Sequence, residues 1–592
     1  MVISRFKYAR LLLAARRVIR NDHLILMVLA LVVGCAAGAA VVAFRETIDL
    51  VQFLFYGTGH ARLTPHAAGL QWWHVLLAPA VGGLIVGIFV HLLLPNRRPQ
   101  GVADVIEAEQ LHGGWMSSRV GLLSAIASAI SIGAGASVGR EGPAVHLGGS
   151  LGAWLARRLH LTRSLNRTLL GCGVAAAVAA SFNAPLAGAL FANEVVIGHY
   201  ALKAFAPVVV ASVAGTAISR HWFGNFPAFA LVDNPLASFW EFPAFIGLGV
   251  ASALCAILMM HSIVVASALA KRTPMVPWLK PAVAGLSVGA MALVVPQVLG
   301  VGYGVTEDAM LHVYGFGTLL VILACKILAT AISLGWGFSG GVFSPALVVG
   351  AVAGGAYGIV ATAIFPDLSS GVPAYTVVGM GAVAASVLGA PISTTLIIFE
   401  MTSDYTLTLA VMVTVVVSSE ISHHFYDRSF FVRQLRERGV DLREGIESEV
   451  MQTITVDAVM RRQVSTVGMS TDLDTLRRLL QDSTVGELFV VRDDGALHGT
   501  VTLQDLSEFA FDHDLDSLVN AGDVARPNPP VLTRHDDIET AVALMDRVGE
   551  MVIPVLEREG DRVLVGAVTH DDVMTEFNRV LMERRREELG HE

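Results

Sequence analysis

The fold class this sequence predicts is a polytopic α-helical membrane protein of two related halves, followed by a polar α/β tail. Three observations predict it. Of 592 residues, 54% are hydrophobic, and the mean hydropathy is +0.61. That is a membrane-protein composition on a chain long enough for more than one domain. Charge is split along the chain: residues 441–592 hold 32 acids and 15 arginines with no lysine, a net of −17, against +8 for residues 1–440. Finally, Gly/Pro-interrupted apolar segments recur at matching places in two halves, which is the sequence pointer to a transport site.

In chain order, residues 1–23 are basic and amphipathic, with Arg5, Lys7, Arg10, Arg16, Arg17 and Arg20 ahead of the first long apolar run. That run, Leu24 to Phe44, is long enough to span a bilayer, which takes about 20 residues. It is too long for a signal-peptide core. The positive-inside rule places the N-terminus in the cytoplasm; a helix lying on the membrane surface is compatible with the same pattern. Further apolar segments lie near 75–94, 119–139, 142–158, 168–198, 203–219, 243–270, 280–299, 317–334, 341–364, 375–400 and 406–422. Several are short or broken, so half-spanning helices are expected. Irregular backbone at that depth must be covered by protein or a watery cavity. Cys35, Cys172, Cys255 and Cys325 sit in apolar runs without metal spacing and read as core thiols.

The central stretch is Gly139-Arg140-Glu141-Gly142-Pro143. A carboxylate in lipid costs on the order of 2.5–3.5 kcal/mol even on a lenient scale, so Glu141 is expected to face protein or water. Gly142 and Pro143 suit a helix start. A helix beginning there aims free N–H groups and a positive dipole end into a cavity, and such an end binds anions. Gly341-Val342-Phe343-Ser344-Pro345 repeats the design, with Pro345 lying 202 residues after Pro143. The run from Gly173 to Pro185 resembles that from Gly379 to Pro391, and Glu194 and Glu400 each fall nine residues beyond their proline. Ordinary kinked helices are the plain alternative.

These motifs, with Phe182-Asn183-Ala184-Pro185, Gly300-Val301-Gly302-Tyr303-Gly304 and Ala390-Pro391-Ile392-Ser393, together resemble the CLC family of chloride channels and proton/chloride antiporters, over residues 24–435. The resemblance implies a homodimer with one anion pathway per subunit and two halves of inverted topology. It implies that Glu141 is a gating glutamate, whose ionised carboxylate competes with chloride and whose protonation opens the path. A helix-capping carboxylate is the competing reading. The backbone N–H groups of Val342 and Phe343 resemble the family's central-site donors, against plain core packing. Arg140 and Gly142 flank the same site. Arg140 steers anions or pairs with a local carbonyl or acid. Lys326 adds positive potential or snorkels to the interface. His423-His424 reads as a polar helix end.

Three departures from the family pattern matter. Its serine motif is here Gly101-Val102-Ala103-Asp104-Val105, so Val102 brings no hydroxyl. Its tyrosine hydroxyl falls at Phe431, with Tyr426 the competitor if the register slips by five. The central site then offers backbone amides and apolar walls, and weaker chloride binding is expected. The inner proton glutamate of antiporters falls at Val195, through which no proton hops. Glu194, one position away and on a different helix face, is one substitute. Valine there favours a passive channel, with antiport as the alternative.

The tail starts from a linker at 436–452, opened by the basic stretch 433–439, which puts it in the cytoplasm. Two similar units follow, at 453–510 and 511–580, with a charged helix at 581–592. Strand-like runs such as Leu488 to Arg492 and Val552 to Leu556 alternate with helical patterns. Thr502/Asp505 and Thr569/Asp572 recur at an offset of 67. The arrangement resembles a CBS-domain pair, which implies that these residues contact the phosphate and ribose of an adenine nucleotide. A Thr-x-x-Asp is equally a helix-capping signal. The acidic tail excludes nucleic acid as a partner. The reading is therefore a multi-pass protein of the plasma or inner membrane that moves chloride or another small anion through a Glu141-gated path, without a required cofactor, metal or catalytic constellation. A reading from another class is a nucleotide-sensing CBS protein that moves a cation. It predicts clustered acids along the pathway.

Overall fold

A computed structural model describes residues 22–59, 63, 69–198, 202–224, 237–440, 451, 453–483, 485–507, 519–558 and 562–589. The basic residues Arg5 to Arg20, the linker stretch 441–450 and the last residues of the charged tail lie outside the described residues. The chain divides into two compact units, Met1–Val440 and Asp441–Glu592.

Among the described residues, the regular elements of the first unit are helices. Its elements are α1 (Asp22–Tyr56), α2 (Trp72–Leu93), α3 (Val102–Gln110), α4 (Ser118–Gly133), α5 (Glu141–Arg158), α6 (Arg163–Phe182), α7 (Pro185–Phe191, continuing as a π-turn over Ala192–Ile197) and α8 (Leu202–Phe223). The second half holds α9 (Phe242–Arg272), α10 (Lys280–Ala292), α11 (Tyr303–Met310), α12 (Phe316–Gly335), α13 (Phe343–Ile364), α14 (Val372–Leu388), α15 (Pro391–Thr402), α16 (Tyr405–Phe425) and α17 (Phe430–Arg436). Among the described residues, seven helices are long and apolar enough to cross a membrane.

Two predicted segments are each two helices. The apolar run 168–198 breaks at Asn183 (φ 61°) and the run 375–400 at Gly389 (φ 66°). A left-handed residue ends each first helix, and Pro185 or Pro391 opens the next, where its missing N–H costs nothing. The two halves also pack alike. A Cβ on Gly148 would lie 2.3 Å from the Gly173 carbonyl oxygen, and one on Gly350 would lie 2.4 Å from that of Gly379. Only glycine permits these approaches of α5 to α6 and of α13 to α14, the small-residue packing that holds helices together in lipid.

The second unit has two sheets. In the first, β1 (Thr466–Gly468) runs parallel to β2 (Glu487–Val491), which pairs antiparallel with β3 (Leu497–Thr502), and β4 (Arg526–Pro527) closes the edge. In the second, β5 (Leu532–Thr533) runs parallel to β6 (Val552–Leu556), which pairs antiparallel with β7 (Leu564–Thr569). Helices α18 (Val456–Val459), α19 (Leu473–Gln481), α20 (Ala521–Val524), α21 (Ile538–Val548) and α22 (His570–Leu589) complete it. The aspartates before α19 and α21 act alike: Asp472 accepts from the Thr475 N–H at 2.9 Å, and Asp537 from the Thr540 N–H at 2.8 Å. The halves are stitched by exchange. β4 of the second repeat joins the first sheet, while the Arg461 N–H of the first repeat donates to the Ala567 carbonyl at 2.8 Å.

Candidate functional site

The two Gly/Pro motifs meet. The Gly139 N–H donates to the Gly341 carbonyl at 2.7 Å, and the Gly341 N–H returns a bond to the Gly139 carbonyl at 2.7 Å. Around this antiparallel bridge the loops exchange serines. The Ser137 N–H donates to Ser333 Oγ at 3.2 Å, and the Ser339 N–H donates to Ser131 Oγ at 3.1 Å. Ser131 and Ser333 are 202 residues apart, as are Ser137 and Ser339. Polar backbone at membrane depth thus finds its partners in the opposite half. The starts of α5 and α13 are brought side by side: a Cβ on Gly142 would stand 3.0 Å from the Gly341 Cα.

Glu141 is the first residue of α5 and only 1% exposed. Its Oε1 accepts from the Tyr303 hydroxyl at 2.7 Å. Its Oε2 accepts from the Ser344 hydroxyl in the first turn of α13. Glu141 lines a cavity of about 340 Å³ together with Val102, Gly142, Val342, Phe343 and Phe431. Six of the predicted anion-site residues are therefore gathered on one surface. The cavity is also lined by Arg98, Lys271, Arg438 and Glu437. Phe343 packs on Phe182 and Phe191, with centroids 4.8 and 6.1 Å apart. Tyr303 lines a second, smaller cavity of about 50 Å³, with Asp49, Gln52 and Arg140. Glu141 thus lines the larger cavity and its hydrogen-bond partner Tyr303 the smaller.

Other predicted residues fall elsewhere. Arg140 turns to the smaller cavity. Its guanidinium lies 4.9 Å from the centre of the Tyr303 ring, and its Nε lies 3.6 Å from Glu141 Oε1. Of the two candidates for the missing hydroxyl, Phe431 lines the main cavity and Tyr426 does not. Val195 is buried in the π-turn. Glu194 does not line the cavity. Its carboxylate accepts from the N–H groups of Ile392 (3.0 Å) and Ser393 (2.7 Å) and from the Ser393 hydroxyl, at the start of α15. Glu400 does the reciprocal, accepting from the Leu186 N–H at 3.1 Å and the Ala187 N–H at 2.8 Å at the start of α7. Each half caps the other's helix, and the proline at N1 leaves these as the first free donors. Lys326 does not snorkel. It is fully buried, and its Nζ donates to the carbonyls of Val298 (3.1 Å) and Gly300 (2.9 Å). Sequence reasoning missed Tyr303 as a partner of Glu141, and also Ser344 and Glu437. The only signal was that Tyr303 and Ser344 sit inside quoted motifs.

In the tail, Asp505 accepts from the Thr502 hydroxyl at 2.7 Å and Asp572 from the Thr569 hydroxyl at 2.7 Å, while the contacts of the capping reading are the Thr502 N–H donating to Asp505 at 2.8 Å and the Asp572 N–H donating to the Thr569 hydroxyl at 3.2 Å. Each also holds an arginine from the other repeat. Arg526 Nε lies 2.6 Å from Asp505 Oδ1, and Arg461 Nε lies 2.7 Å from Asp572 Oδ2. Burial pushes Asp505 up, but hydrogen bonds from Arg526 and Thr502 outweigh it and hold the carboxyl below the usual range. The Arg461 hydrogen bond, above all, holds Asp572 low. Glu487 behaves oppositely. Burial, then the charge of Glu550, pushes it up to about 7. Its buried Oε2 has no hydrogen-bond partner.

The family model described as voltage gated chloride channel matches residues 82–423, and the CBS domain model matches 456–512 and 521–579. A chloride channel protein described as ClcB-like, from Ralstonia nicotianae, is 35% identical over 423 residues, covering 71% of this chain and 98% of its own. The crystal structure of a slow cyanobacterial Cl⁻/H⁺ antiporter superposes with a TM-score of 0.64 at 22% identity, over 71% of this chain and 98% of that one. A eukaryotic CLC transporter superposes with a TM-score of 0.60 at 18% identity, over 92% of this chain and 97% of that one. By the family-model matches and the identity to the ClcB-like relative, this chain belongs to the CLC family of voltage gated chloride channels and carries a CBS-domain pair.

Proposed function

We propose that this multi-pass membrane protein conducts chloride through the cavity at the abutting starts of α5 and α13, with Glu141 as its gate, and that it acts as a channel. The observation that carries the reading is the buried Glu141 carboxylate, which lines the main cavity and is held by two hydroxyls, one of them from Tyr303 on the lining of the smaller cavity. A helix start binds anions through its free N–H groups and dipole. An ionised carboxylate there takes the place a chloride ion would take, and protonation removes that competition. Arg98, Lys271 and Arg438 share the lining with the acids Glu141 and Glu437, and Arg98 and Arg438 both pair with Asp104 at 2.7 and 3.2 Å, so the preference for an anion over the cation of the alternative reading rests on the helix starts rather than on a charge excess. Val342 and Phe343 supply backbone donors, while Val102 and Phe431 supply apolar wall. A hydrogen bond to a charged group is worth roughly 1.5–3 kcal/mol. Phe431→Tyr is therefore expected to tighten chloride binding by calorimetry about tenfold; unchanged affinity would place the anion elsewhere.

The channel mechanism rests on Val195 and on Glu194, whose carboxylate is engaged at α15. Antiport is the second reading, and Glu437 favours it as a further carboxylate on the cavity lining. Proton movement in liposomes under a chloride gradient, with the voltage held at zero by potassium and valinomycin, tests the two. Fast chloride efflux without proton flux is the expected result. Uphill proton flux would establish antiport, and Glu437→Gln would then abolish it. The gate itself is tested by Glu141→Gln, which is expected to remove the pH dependence of chloride flux.

The same reading makes the protein a homodimer with cytoplasmic termini, whose tail binds an adenine nucleotide. Thr502, Asp505, Thr569 and Asp572 contact it there, and Arg461 and Arg526 turn from their aspartates to its phosphates. Asp572→Ala is expected to weaken ATP binding by calorimetry; unchanged binding leaves capping as the role of this pair.

A further inference from the structure

We infer that Lys326 is a positioning residue for the Glu141 gate: it pins the 298–302 loop so that the Tyr303 hydroxyl reaches the carboxylate. This rests on Glu141 being the gate. Lys326 lies within α12, fully buried, and its two partners are the Val298 and Gly300 carbonyls. A methionine would fill the same space without desolvating a charge, so packing alone does not call for an ammonium. The loop it grips is set by two left-handed glycines, Gly300 (φ 61°) and Gly302 (φ 94°). It is tied to the gate's own loop by the Gly300 N–H donating to the Gly135 carbonyl at 3.1 Å. Tyr303 follows at once as the first residue of α11, and its hydroxyl donates a hydrogen bond to Glu141 Oε1. The ammonium, two carbonyls and one turn thus fix the distance at which a hydroxyl meets the gate. A donor to the ionised form holds that form in place, so a loosened loop makes the closed gate leak.

The experiment is chloride flux in liposomes, compared at acid and at alkaline pH. Tyr303→Phe is expected to raise the flux remaining at the alkaline end roughly tenfold, the worth of one hydrogen bond to a charge. Lys326→Met is expected to do the same. The double variant is expected to leak no more than the leakier single one, because both act through one contact. Gly302→Ala tests the loop if Lys326→Met fails to fold: its Cβ would meet Val348 Cγ2 at 2.9 Å and the Lys326 Nζ at 3.2 Å. Alkaline flux at the wild-type level in Lys326→Met, or in Gly302→Ala where it stands in, overturns the inference, as do effects that multiply in the double variant. Glu141→Gln separates the failures. If its flux still varies with pH, the gate reading falls and this inference with it. If its flux is flat while the loop variants keep the wild-type profile, this inference alone falls.

Discussion

Glu141 and Glu487 are both buried carboxylates, and the donors around them decide what each does. Glu141 holds two hydroxyls. Glu487, at the start of β2, faces Glu550, Asp505 and the one guanidinium of Arg526, which is already bonded to the other two acids. Burial and the charge of Glu550 raise its pKa to about 7, well above the usual carboxylate range. A carboxyl raised in the folded state favours folding at low pH and loses that contribution as pH climbs through the folded value. The tail unit is therefore expected to lose stability between about pH 4.5 and pH 7, by an amount on the order of 2–3 kcal/mol. Hydrogen exchange of β2 in the full chain checks this: protection should be higher at acid pH, and Glu487→Gln should flatten the difference. A profile that Glu487→Gln leaves unchanged would assign the effect to other groups. At this scale the sequence is legible where a residue is out of place in its own neighbourhood. Glu141 stands out as an acid in an apolar run. Tyr303 does not, because its meaning lies in a contact made across 162 residues.

Helices come in matched pairs here, and their matching can be probed. The Gly148 contact with α6 and the Gly350 contact with α14 leave no room for a methyl group. Gly350→Ala forces backbones apart and is expected to cost about 1–3 kcal/mol, as overpacking does, read as a lower thermal midpoint in detergent. The reciprocal caps offer a second test. Glu194→Ala and Glu400→Ala each strip two N–H groups of their acceptor, and each is expected to cost roughly 0.5–2 kcal/mol. If Glu194 only caps, chloride flux per folded protein stays unchanged in Glu194→Ala; a selective loss of proton coupling would make it a carrier. The repeat was legible because Gly, Pro and Glu keep their spacing in both halves. The breaks at Asn183 and Gly389 were not, because one residue at positive φ leaves hydropathy untouched and splits an apolar run that reads as continuous. Which helix each glutamate caps was equally hidden, since it depends on how the halves dock.

Across the whole molecule, the division into two units follows the charge: residues 441–592 carry the entire acid excess, a net of −17 against +8 in residues 1–440. Exchange between repeats is common to both units. In the first, loops trade backbone and serine bonds. In the second, Arg461 and Arg526 each cross to the other repeat's aspartate. The Gly139–Gly341 bridge has a consequence for how the protein is made. While the ribosome has released only the first half, the N–H groups of Ser137 and Gly139 have no acceptor, so the nascent chain has helices but no conduit. The walls of the main cavity are complete only once the second half is in place, because Val342, Phe343 and Phe431 line it. Severing the chain between α8 and α9 should then leave two polypeptides that are inert apart and conductive when co-expressed, because what joins them is mutual bonding rather than the covalent link.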